Sequence, residues 1–170
     1  MFATFLQQAA LVILILGQLT LGETVPKKYG GRYVTLGDNG IGGTYLGWGA
    51  DLSDPDIAQL AKDAMLDARA VANEAGKSPP STLAIYINPR GDLILAGSGG
   101  AGPGAPRIDA EVNVLATCAE QGLSFHGGKI ISWNFQFKYF IQACTNCRII
   151  LMDHGNIQDT YLSFQQYNGP

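Results

Sequence analysis

Two short segments carry side chains able to do metal chemistry, Cys144-Thr145-Asn146-Cys147 and, upstream of it, Asp109-Ala110-Glu111. Cysteines at i and i+3 share one face when they begin a helix, so both sulfurs reach a single ion. The unsatisfied N–H groups of a helix N-terminus favour the thiolate form that binds metal. A third ligand has to come from elsewhere in the chain, and a fourth position open to water separates a catalytic zinc from a structural one. The same Cys-x-x-Cys spacing suits a redox pair or part of a structural zinc site. Thr145-Asn146 is not typical of thioredoxin-like pairs, and the sequence holds no second Cys-x-x-Cys. Asp109 has a plainer reading as a capping carboxylate, a role that stabilises a helix by ~1 kcal/mol, and Glu111 as a first-turn acid.

The elements that position these residues follow from periodicity and punctuation. Ser53, Asp54 and Pro55 open a helix in the expected way, with apolar residues at helical spacing from Ile57 to Val71 and Gly76 ending it. The runs 83–88 and 92–96, separated by Pro89-Arg90-Gly91, read as an antiparallel hairpin. A helix over 109–121 ends at Gly122, a strand covers 129–134, a helix runs from Cys144 to about Asp153, and Ile157 to Phe164 reads as a last strand. Helix, two strands, helix, strand, helix, strand predicts an α/β domain with a mixed sheet covered by helices.

The two motif segments, in this order and with a strand between them, resemble the zinc-dependent nucleobase deaminase signature, His-or-Cys-x-Glu followed by Pro-Cys-x-x-Cys. The resemblance is closest to the deaminase effector domains of bacterial polymorphic toxins. It is carried by 109–115 (DAEVNVL), 128–131 (GKII) and 144–148 (CTNCR), and covers about 83–164. It implies the cytidine-deaminase-like three-layer fold, a Zn2+ cofactor held by Asp109, Cys144 and Cys147, and Glu111 as the residue that moves protons. It also implies hydrolytic deamination of cytosine, with adenine second, in a nucleic acid or a free nucleoside, and a toxin's immunity protein as a partner. Asp109 stands where the family has His or Cys, and Ala143 where it has Pro. Aspartate is an accepted zinc ligand, and with two thiolates it gives the formal ligand charge of three cysteines. Should Asp109 only cap its helix, the chain is an inactive, zinc-binding or effector relative.

Length and composition agree with one such domain. The 170 residues are 46% hydrophobic and 15% charged, enough for one core. The net charge of −3 opposes non-specific attraction to phosphate backbones. Three cysteines are too few for a disulfide scaffold, and Cys118 reads as a small core hydrophobe. Residues 1–22 carry no charged side chain and include the apolar run 9–17, which resembles a secretory signal peptide without its basic n-region. Secretion, with no membrane contact after cleavage, is the expectation. Residues 23–52 form a Gly-rich segment in which Asn39-Gly40 signals a hairpin turn, and 53–170 are the deaminase-like domain. Trp133 ends a strand at the edge from which this fold contacts a base, so it is a candidate substrate-stacking residue, with core packing as its alternative. Phe135, Phe137, Tyr139 and Phe140 read either as a strand or as a loop over the pocket.

Overall fold

A computed structural model of the chain describes residues 42–99 and 108–169. The signal-peptide reading and the Asn39-Gly40 turn lie outside them. The described residues form a mixed six-stranded sheet and four helices, in agreement with the α/β expectation. In chain order these are β1 (Gly42–Tyr45), α1 (Asp54–Glu74), β2 (Thr82–Ile87), β3 (Leu93–Gly97), α2 (Ala110–Glu120), β4 (Lys129–Asn134), β5 (Tyr139–Ile141), α3 (Thr145–Gly155), β6 (Gln158–Asp159) and α4 (Tyr161–Phe164). The sheet order is β1-β3-β2-β4-β5, with β6 also paired to β4.

Local chemistry sets these boundaries. Ser53 caps α1 through a reciprocal box with Asp56, in which each side chain accepts from the other residue's backbone N–H, and Gly76 follows the helix at φ +66°. The β2–β3 turn is closed by Asn88, whose Oδ1 accepts from the N–H groups of Arg90 at 3.0 Å and Asp92 at 2.9 Å. Gly91 occupies the left-handed position there at φ +81°.

Strand alternation divides the apolar residues between two faces. Leu83, Ile85, Leu93, Leu95, Ile131 and Trp133 pack under α1 against Ile57, Leu60, Ala64 and Met65. Ala84, Tyr86, Ile94, Ala96 and Ile130 pack on the other face against Val114 and Cys118 of α2 and Cys147 and Leu151 of α3. Helices thus cover both faces, with α2 and α3 side by side. Cys118 is buried among them, as its sequence reading expects.

One expectation is corrected. The stretch 157–164 is not a single strand, because only Gln158–Asp159 pairs with β4, in parallel, after which α4 begins. Asp159 turns the chain, its Oδ1 accepting from Tyr161 N–H at 3.1 Å. Phe164 on α4 then closes the α1-side core.

Candidate metal centre

The centre is built at the N-termini of α2 and α3. Asp109 occupies the N-cap position of α2 with extended dihedrals, φ −67° and ψ 149°, yet its side chain makes no capping hydrogen bond. The carboxylate faces the cysteines instead, Oδ2 lying 3.1 Å from Cys147 Sγ and 3.6 Å from Cys144 Sγ. An N-cap carboxylate that leaves its own helix uncapped gives up a stabilising interaction of ~1 kcal/mol, so the plain capping reading does not describe it.

Cys144 is the N-cap of α3, and its sulfur accepts from Cys147 N–H at 3.2 Å. This bond brings the two thiols to one face, with the sulfurs 2.9 Å apart, well beyond the ~2.05 Å of a disulfide. All three cysteines are free, Cys144 exposed and Cys147 buried. Asp109, Cys144 and Cys147 offer one donor atom each, all within 4.8 Å of one another.

Two thiols and a carboxylate suit a thiophilic divalent ion such as zinc. The donor triangle is tighter than zinc requires, since tetrahedral Zn–S bonds of ~2.3 Å set sulfurs ~3.8 Å apart. Cys144, the exposed member of the pair, is the side chain that would have to move outward to reach that spacing. Burial pushes the Cys147 thiol strongly up, helped by its hydrogen bonds with Cys144 and Asp109 and by the nearby charges of Glu111 and Asp109. A divalent cation bound here would reverse that balance by favouring the thiolate.

Glu111 is buried in the first turn of α2, where its Oε1 accepts a 2.7 Å hydrogen bond from the Ser132 hydroxyl of β4. Burial holds its carboxyl above the usual carboxylate range. The Ser132 bond opposes that rise, and the charges of Asp109 and Asp159 add to it. Asp159 also fixes the approach to the cysteines, its Oδ2 accepting from Ala143 N–H at 2.9 Å. This bond holds the residue before Cys144 in place where the deaminase signature has proline.

The structure therefore brings Asp109, Glu111, Cys144 and Cys147 together and leaves Trp133 apart from them. Trp133 is 5% exposed and points to the α1 face, edge-on to Phe140 at 4.8 Å between centroids, with Lys62 Nζ 5.2 Å from its ring centre. The core-packing alternative describes that placement. Ser132 and Asp159 are absent from the sequence reading. Alternation in β4 carries a signal for Ser132, since it shares a face with Ile130, whereas the capping role of Asp159 depends on a turn that short-range patterns do not reveal.

A cleft of about 600 Å³ opens beside α3, with Gln142, Arg148, Asn156 and Asp159 among its lining residues. The donor atoms do not line it, so it borders the centre rather than covering it. Among the described residues no helix is long and apolar enough to cross a membrane. The chain matches no protein-family model, no curated protein and no solved structure.

Proposed function

We propose that this chain is a zinc-dependent hydrolytic deaminase acting on cytosine in nucleic acid, with Asp109, Cys144 and Cys147 as the zinc ligands and Glu111 as the proton shuttle. The observation that carries the reading is the turn of the Asp109 carboxylate away from its own helix and onto both thiols. The sheet order β3-β2-β4-β6, with α2 and α3 on one face, agrees with the cytidine-deaminase-like three-layer fold that the motif resemblance implies.

What zinc supplies when bound is a water acidic enough to attack at neutral pH. Glu111 would carry two protons in turn, the first from the attacking water to the ring nitrogen and the second from the new hydroxyl to the amino group, which leaves as ammonia. The water oxygen ends as the new carbonyl, and the C–N bond to the amino group breaks. Ser132 holds Glu111 Oε1, which leaves the other carboxylate oxygen for the proton. Burial raises the pKa of this carboxyl, the direction that favours giving a proton back after taking it. An effector-like, secreted role accompanies this proposal through the toxin resemblance.

The test is to load the full chain with zinc and incubate it with single- and double-stranded DNA, RNA and cytidine. Ammonia release and sequencing of the products read the result, with Glu111→Gln as the control. Base conversion by the parent and none by the variant is the expected outcome. Bound zinc without conversion of any substrate overturns the enzyme in favour of a non-catalytic zinc domain.

A further inference from the structure

The proposed chemistry leaves the tip of the β4–β5 hairpin unused. There Phe137 is 56% and Tyr139 40% exposed, and their rings stack 5.4 Å apart at an interplanar angle of 15°. Strand register places this stack relative to the metal centre. Trp133 pairs with Phe140, and both enter the core under α1. The next pair, Asn134 with Tyr139, therefore faces the opposite side, where Ser132 meets Glu111. Tyr139 lies on the neighbouring strand opposite Asn134, two residues beyond Ser132, so its Cα stands ~7 Å along and ~5 Å across the sheet from that of Ser132.

The turn that presents the rings is held from several directions. Asn134 Oδ1 accepts from Phe137 N–H at 3.0 Å, and Asn134 O accepts from Lys138 N–H at 2.9 Å. Lys138 takes a left-handed conformation at φ 57°, and its carbonyl accepts from Gly169 N–H at 3.3 Å. Lys138, exposed like its neighbours, lies between the two aromatic residues in sequence.

We propose that Phe137 and Tyr139, with Lys138 between them, form a stacking platform for a base that flanks the target cytosine, which makes the substrate an unpaired strand rather than a free nucleoside or an intact duplex. The proposal rests on the deaminase reading of the adjacent centre. A nucleoside has a single ring, which the catalytic site itself takes, and a duplex hides the faces of its bases. Only an unpaired strand offers a second ring beside the target together with a phosphate for Lys138. Local positive charge at the tip also gives the strand a landing point on a chain whose net charge is −3.

The test is fluorescence anisotropy on zinc-loaded chain with two labelled DNA single strands. One carries a single cytosine among ordinary bases, and the other has abasic positions on both sides of that cytosine. The parent should bind the first about 10-fold or more tightly than the second, the range expected for stacking of one base. The Phe137→Ala, Tyr139→Ala variant should discriminate by less than about 2-fold. Phe137→Leu with Tyr139→Leu, which keeps apolar bulk without aromatic faces, should lose discrimination in the same way and covers instability of the alanine pair. A parent indifferent to abasic neighbours, or variants that still discriminate, overturns the platform. Anisotropy needs no turnover, so a chain that discriminates yet releases no ammonia keeps the platform and loses the deaminase. Ammonia release from DNA by a chain blind to abasic neighbours does the reverse.

Discussion

The Ser132 hydroxyl donates a 2.7 Å hydrogen bond to Glu111 Oε1, tying the middle of β4 to the first turn of α2. Both side chains are buried, so the bond is shielded from water and fixes which way the carboxylate points. Ser132→Ala should lower kcat by about 10- to 100-fold, the usual effect of losing a partner that orients a reactive group. Because the Ser132 bond lowers the Glu111 pKa, its loss raises that pKa further. The acid limb of the pH–rate profile should then move to higher pH in the variant. An unmoved limb would mean that Glu111 is not the group that titrates in catalysis.

Glu111 in the metal-free chain should lower stability at neutral pH. Its folded pKa lies above the unfolded value, so its contribution is present below the ordinary carboxylate range and is lost as pH rises through the folded pKa. Glu111→Gln imitates the protonated form. In chelator-containing buffer at pH 7 it should melt at a higher temperature than the parent, with the gap closing as pH falls below ~4. Equal melting temperatures at both pH values would contradict the raised pKa of the buried carboxyl.

Thiol reactivity should sort the cysteines by position. Without zinc, exposed Cys144 alkylates first, and buried Cys118 resists until unfolding; zinc should protect Cys144 and Cys147 together. Burial pushes the Cys118 thiol up from 9.0 to about 11. Stability should therefore fall as pH rises from about 9 to about 11, where the unfolded thiol ionises and the folded one does not. Cys118→Ala should flatten that slope, at a loss of about 1 kcal/mol for the small cavity left behind. Urea titrations across this pH range measure both effects.

Gly128 begins the entry to β4 at φ +84°, and a Cβ there would collide with the Ile87 carbonyl oxygen. Its own carbonyl accepts from Gln158 N–H at 3.1 Å, which anchors β6 and brings Asp159 to the loop before Cys144. Gly128→Ala should destabilise the chain by about 2 kcal/mol or more, through steric conflict and positive φ together. Zinc affinity should fall with it, since the Asp159 anchor moves. A variant as stable as the parent by denaturant unfolding would place the β4 entry elsewhere.

Much of this architecture is legible in the sequence because it is written in short-range chemistry. Ser53 with Pro55 starts α1, Gly91 turns β2 into β3, and the repeats of Ile57, Leu60 and Ala64 against Leu83 and Ile85 mark the two sides of one core. The donor cluster is legible from Cys-x-x-Cys spacing and the Asp-x-Glu that precedes it. Trp133 and 157–164 show where local pattern stops being informative. An aromatic at a strand end faces either side of the sheet depending on register, and pairing with Phe140 turns Trp133 toward α1. An apolar-polar run reads as a strand until a side chain such as Asp159 bonds the backbone and turns it. Tertiary hydrogen bonds, including Ser132 to Glu111, join residues distant in sequence and leave no local period.

The most direct test of the account is zinc X-ray absorption on the loaded full chain, which counts sulfur and light-atom ligands around the ion. One zinc per chain is expected, with two sulfurs at ~2.3 Å and the remaining ligands oxygen at ~2.0 Å, and a third sulfur in Asp109→Cys. A chain that retains no zinc, or an Asp109→Cys variant that still shows two sulfurs, would contradict the Asp109, Cys144 and Cys147 site.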